Sequence, residues 1–175
     1  SMKLNVGCGR NLLEGWINLD KTGGDIKADL NERLPFEDNS ATHILMSHVL
    51  EHIQNPLPMM EELYRVAKPG CLMVIACPYG SSDDAWEDPT HVRPIFASST
   101  LYFSQPAYWK ADYGYRGDWR TNEIHFKMRH AYTDQEILTF RNLVSEIVFQ
   151  LDAIKPARAQ DKSLLDSPRI FKVTP

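Results

Sequence analysis

The stretch "KLNVGCGRNLLEGWINLD", residues 3–20, decides the fold. Leu4 and Val6 are apolar, and the run breaks at Gly7 and Gly9, so it reads as a strand entering a glycine-rich turn. A second apolar run, "GWINLD" at 15–20, ends on the acid Asp20. About eight residues separate the two runs. A parallel crossover usually takes a dozen or more. The spacing therefore predicts a first helix stunted to about one turn, around Asn11 to Glu14.

Working outward, "DIKADL" reads as a short third strand, "NERLPFEDNSA" as a loop and "THILMSHVL" as a fourth strand. A helix follows with readable ends: Asn55 as cap, Pro56 in the first position, Lys68-Pro69-Gly70 as the stop. Met60, Leu63, Tyr64 and Ala67 share one face of it. "CLMVIAC" is apolar throughout, as a parallel strand buried on both faces should be. Residues 78–132, rich in aromatics, Asp, Pro and Gly, break the rhythm and read as an inserted lid or substrate region within a single domain spanning 1–175. Inside it, "EIHFKMR" alternates like a half-exposed strand. Thr133-x-x-Glu136 is a capping box opening a helix to about Leu143. "EIVFQLDAI" and "RIFKVT" are expected as the last two strands, an antiparallel pair, with a mobile polar connection at about 155–168.

This order implies an α/β domain with a doubly wound, mostly parallel sheet, a Rossmann-like arrangement with a shortened first helix. Such sheets bind ligands at the carboxyl ends of their strands. Gly7, Gly9, Asp20, Asp29, Ser47 and His48 all fall at those ends, although they are far apart in sequence. A lone G-x-G is a weak signal, and Asp20 taken alone is equally a solvated strand-end acid. The convergence carries the argument.

Bulk properties narrow the classes. Hydrophobic residues make up 43% and charged residues 24% of the 175, ordinary for a globular domain. No apolar run approaches the roughly 20 residues of a membrane span, so no membrane partner is expected. Ser1-Met2 reads as a cloning remnant, and no charged leader with an apolar core is visible. Three cysteines, Cys8, Cys71 and Cys77, fit free thiols in a reducing cytoplasm. The net charge of -4, without a basic run longer than two, argues against duplex nucleic acid.

"LNVGCG", "GWINLD", "ADLNERLPFEDNSATHILMSHVLEHI" and "ELYRVAKPGCLMVIACPY" together resemble small class I S-adenosylmethionine-dependent methyltransferases, type-11-like, closely over about residues 3–78 and more loosely through "RHAYTDQEILTF". The resemblance implies S-adenosyl-L-methionine as cofactor. It sets Gly7, Cys8 and Gly9, with Asn5 before them, beside the methionine part. Asp20, followed by Lys21, would hold the ribose. Asp29, with the Leu30 backbone, would meet the adenine, and Ser47 and His48 would border the methyl. Asn5 stands where an acid is frequent and Asn11 where a third glycine is common.

"SHVLEHI", residues 47–53, also contains H-x-x-E-H, a zinc-peptidase pattern. That pattern needs both histidines on one helix face, whereas His48 directly follows a buried strand and falls on the bend. A similar E-x-x-E-H binds a divalent ion in certain methyltransferases acting on small-RNA ends. Here His48 replaces the first acid, and magnesium prefers oxygen ligands. No metal is therefore expected, and His52 reads as a helix-start residue bonded to backbone.

"DPTHVR", residues 88–93, lies just beyond the fifth strand. Asp88, His91 and Arg93 are candidate substrate ligands, Arg93 through a two-pronged grip on an anion; the plain alternative is a loop satisfied internally. His48 and His91 are the candidate catalytic bases. The aromatics from Trp86 to Trp119 are expected mostly as lid packing or as a homodimer face. The expected function is methyl transfer to an oxygen or nitrogen of a small molecule or glycan. A non-catalytic S-adenosylmethionine-binding partner subunit and a nucleotide-binding, dehydrogenase-like domain are the rivals.

Overall fold

A computed structural model of the chain describes residues 1–108 and 112–165. Seven strands form one sheet: β1 (Met2–Val6), β2 (Ile17–Asp20), β3 (Ile26–Lys27), β4 (Ala41–Ser47), β5 (Ala67–Pro78), β6 (Trp119–Met128) and β7 (Val144–Ala153). Their order across the sheet is β3-β2-β1-β4-β5-β7-β6. The first five are parallel, and β7 runs antiparallel between β5 and β6. Four α-helices are described: α1 (Pro56–Val66), α2 (Asp84–Glu87), α3 (Gln105–Tyr108) and α4 (Asp134–Thr139).

The centre of the sheet is built from apolar strands. Leu4, Val6, Met46, Met73, Ile75 and Cys77 are buried, and each such side chain contributes about 1.5–3 kcal/mol by leaving water. Burial also pushes the Cys71 thiol up to about 12 and the Cys77 thiol well above its ordinary value. Against this layer α1 buries Met59, Met60, Leu63 and Val66. Tyr64, expected on that face, is only partly buried, because its hydroxyl reaches the Ile154 carbonyl at 2.6 Å. Pro56 opens the helix as expected; the Asn55 side chain makes no capping bond.

The β1–β2 crossover goes further than a stunted helix: residues 7–16 contain turns and no helix. Asparagines replace it. Asn5 Nδ2 donates to the Asn11 carbonyl at 2.8 Å and to Asn18 Oδ1 at 2.9 Å. Asn18 Oδ1 also accepts from Leu13 N at 2.9 Å, and its Nδ2 donates to the Leu13 carbonyl and to Asp25 Oδ2. Both asparagines are buried, so these bonds satisfy their amides and the loop backbone together.

Toward the other edge, all of "EIVFQLDAI" except Ile154 lies in β7, but its antiparallel partners are β5 and β6, the latter holding all of "EIHFKMR" except Arg129. "RIFKVT" lies outside the described residues. The capping box at Thr133–Glu136 is present. Its helix ends at Thr139 rather than near Leu143, because Phe140 turns extended. The connection expected to be mobile is pinned at Arg158: its side chain and backbone N–H donate to the fully buried Asp118 carboxylate at 2.9 Å.

Among the aromatics of 78–132, Phe103, Tyr108, Tyr115 and Trp119 are buried, and Trp119 donates to the Met60 carbonyl of α1. Trp86, Phe96, Tyr102 and Tyr113 are exposed. Trp109 lies outside the described residues.

Candidate functional site

Parallel strands β1, β2 and β4 end together, and the turns that follow carry the expected residues. Gly7 adopts φ +67° beneath Val49; a Cβ there would stand 2.5 Å from Val49 Cγ2, so only glycine lets the turn close under the residues after β4. Above Gly9 there is open space, with nothing within 4 Å of where a Cβ would point. The Gly9 N–H donates to Asp20 Oδ2 at 2.9 Å, while Thr22 N and Oγ1 donate to Oδ1. The backbone N–H bonds from Thr22 and Gly9 hold the Asp20 carboxyl below the usual carboxylate range. Asp20 is thus an oriented anion beside an open glycine turn. Cys8 is buried, with its Sγ toward the Gly9 carbonyl.

One strand away, Asp29 Oδ1 accepts from Asn31 N and Nδ2, and these bonds also lower its pKa. Lys21 Nζ lies 3.3 Å from Asp29 Oδ2, so two of the expected cofactor residues are paired with each other. Leu30 is partly buried against the core. The amide N–H groups of Asn5 point into the crossover network, where they brace the glycine turn. An oriented acid at the second strand end, a second acid beside it and an unobstructed glycine backbone between them and β4 fit a ribose-bearing cofactor with a cationic end.

Ser47 closes β4, and His48 follows at φ +57° with its N–H bonded to the Ala76 carbonyl. The bend expected there is real, and it prevents His48 from sharing a helix with His52. His48 is half exposed, and its Nε2 lies 2.9 Å from Glu146 Oε2 on β7. A carboxylate oxygen accepts, so Nε2 is the donor in this pair. Lys127 pairs with the other Glu146 oxygen at 2.7 Å.

Residues 88–93 pack onto the 3-10 turn Leu50–His52. Val92 N donates to the Glu51 carbonyl at 2.8 Å. Arg93 donates to the carbonyls of Leu50, Ile53 and Gln54. Its fork braces that turn from within, and the two-pronged grip expected on an anion is taken up by backbone. Asp88 accepts from Thr90, and its Oδ2 is 3.5 Å from His91 Nε2. The ring of His91 is mostly buried edge-on to that of His52, centroids 4.6 Å apart. His52 meets the Thr90 hydroxyl at 3.0 Å instead of backbone.

Glu146, Asn18 and Glu51 were not singled out in the sequence. Glu146 lies 98 residues from His48 and becomes visible only through the sheet order. A cleft of about 840 Å³ between α1 and Tyr113–Tyr115 includes none of these residues.

Comparison with known proteins bears on the fold. Residues 14–75 match the family model described as a methyltransferase domain. No curated protein matches. Among solved structures, an S-adenosylmethionine-dependent methyltransferase from Archaeoglobus fulgidus superposes with TM-score 0.55 at 16% identity, covering 87% of this chain and 86% of that one. One from Mesorhizobium loti gives 0.53 at 12% identity, covering 86% and 90%. A chain of the Haloferax volcanii Trm112 methyltransferase-activator complex gives 0.55 at 16%, covering 87% and 82%. Residues 14–75 thus resemble a methyltransferase domain, and the likeness to these solved structures shows the class I methyltransferase fold.

Proposed function

We propose that the chain transfers a methyl group from S-adenosyl-L-methionine to an oxygen or nitrogen nucleophile of a small molecule or glycan, with His48 as the proton acceptor. What supports the reading is the convergence of the glycine turn, Asp20, Asp29 and His48 on one edge of the parallel strands. Asp20 would take the ribose hydroxyls, Asp29 and the Leu30 backbone the adenine, and Gly7 to Gly9 with Ser47 the methionine end. When bound, the cofactor supplies an electrophilic methyl on a sulfonium centre. The chain's own work is positioning: holding the acceptor in line with that methyl and excluding other geometries. When the acceptor takes that methyl, its proton would pass to His48 Nδ1. Glu146, on the far side of the ring, stabilises the resulting imidazolium.

In this reading residues 78–132 form the lid over the pocket. Its exposed Trp86, Phe96 and Tyr102 offer a homodimer face. The three free buried thiols suit a reducing cytoplasm. A second reading, a non-catalytic partner subunit, draws support from the activator complex among the structural neighbours.

Calorimetric titration separates these. S-adenosylmethionine and S-adenosylhomocysteine should each saturate at one site, NAD should not, and Asp20→Ala should weaken both sulfur ligands at least tenfold. No sulfur-ligand binding up to millimolar concentration would overturn the assignment. With an acceptor in hand, His48→Ala should lower kcat roughly 100-fold. Binding without turnover on any acceptor class would favour the partner subunit.

A further inference from the structure

Glu51 is the most anomalous residue in the molecule. Its carboxylate is 3% exposed, and neither oxygen has a hydrogen-bond partner. A buried, unsatisfied carboxylate costs several kcal/mol unless a cation compensates it. The groups that face it are two imidazoles and the Cys77 thiol. His52 Nε2 lies 3.8 Å from Glu51 Oε1, and His48 Nδ1 lies 3.7 Å from the same oxygen. Ligand atoms of Glu51, His52 and His91 all fall within 4.8 Å of one another.

The hydrogen bonds behind the rings fix which nitrogens are free. The Thr90 hydroxyl gives its hydrogen to Asp88 Oδ1 at 2.6 Å, so toward His52 it can only accept. His52 Nδ1 must be the donor there, which turns Nε2 toward Glu51. His91 Nδ1 faces the Ala85 carbonyl at 3.1 Å, which also only accepts, so its Nε2 is turned toward the cluster, 3.5 Å from Asp88 Oδ2. Two imidazoles are thereby oriented by outer partners in the manner of metal-ligating histidines. They converge with a buried carboxylate that also faces the Cys77 thiol.

We propose that Glu51, His52 and His91 bind one divalent transition-metal ion, with Asp88 as an outer-shell or fourth ligand. Two imidazoles and one carboxylate suit zinc, cobalt, manganese or ferrous iron, and suit magnesium poorly. Arg93 and the Val92 N–H, by pinning residues 88–93 to the Glu51 turn, hold the two halves of the site together. Only the ion's role rests on the methyl-transfer reading: beside His48 it would bind the acceptor oxygen and ease loss of its proton.

The test is metal binding itself, measured without turnover. Chelator-stripped protein is titrated with cobalt(II), followed by visible absorption and by elemental analysis after gel filtration. One ion per chain is expected, with absorption typical of nitrogen and oxygen ligands. Glu51→Gln and His91→Gln should each weaken binding at least 100-fold. Thr90→Val, at an exposed position, should weaken it about tenfold by releasing the His52 ring. No saturable binding at millimolar cobalt, or an unchanged affinity in Glu51→Gln or His91→Gln, overturns the proposal. If either fails to fold, as circular dichroism would show, an unchanged affinity in Thr90→Val overturns it instead. Failure of S-adenosylmethionine binding leaves this result untouched, because the readout involves the metal alone.

Discussion

Two crossovers of the same sheet solve the same problem with different chemistry. Between β4 and β5 the chain returns through α1, which buries Met59, Met60, Leu63 and Val66 on the sheet. Between β1 and β2 it returns through a helix-free loop, where Asn5 and Asn18 stitch backbone to backbone. Apolar packing is non-directional and tolerates small shifts. Hydrogen bonds are directional, and each fixes a particular backbone group. The crossover beside the candidate cofactor turn is the one built from directional contacts. Position there matters more than bulk.

The contrast can be broken from either side. Leu63→Ala should cost about 2–5 kcal/mol by chemical denaturation, because a fully buried leucine leaves a cavity. Its cofactor affinity, measured on the folded fraction, should not change. Asn18→Ala should cost less, about 1–3 kcal/mol, since it leaves Leu13 and Asn5 groups unpaired; it should nevertheless weaken S-adenosylmethionine binding. The two asparagines share one network, so adding Asn5→Ala should cost less than it does in the wild type. Full additivity would mean that the ladder does not act as a unit. The smallest effect belongs to Asp20. Its pKa is held down in the folded state, so its contribution to stability is complete above the usual carboxylate range and is lost as pH falls through the lowered folded value. Stability curves of wild type and Asp20→Asn should run parallel at neutral pH and converge in acid.

Elements written in local sequence were legible. The strands around Leu4, Leu19, Met46 and Met73, the Pro56 helix start and the Thr133–Glu136 box depend on neighbours a few residues away. The eight-residue gap before "GWINLD" announced an unusual crossover. It could not say that Asn18 would replace the helix, because an asparagine's role depends on which acceptors the fold brings to it. Long-range pairings were hidden for the same reason. β7 inserts between β5 and β6, and that insertion carries Glu146 to His48. Arg93 looked like an anion clamp by residue type, and only the placement of the Leu50–His52 turn shows its nitrogens spent on carbonyls. Glu51 was read as one letter of a helical pattern, although its burial is what sets it apart.

The strand order also has a consequence for how the chain is made. β5, whose second half is apolar throughout, has β4 along one edge, and among the described residues its other edge is covered by β7 alone. β6 emerges from the ribosome earlier, but among the described residues it pairs with β7 and not with β5. Until residues 144–153 have been translated, the nascent chain exposes an open, sticky edge at the middle of its future sheet. A nascent chain of this order has a built-in need for a chaperone, or for a pause short enough that β7 arrives before a neighbouring polypeptide does.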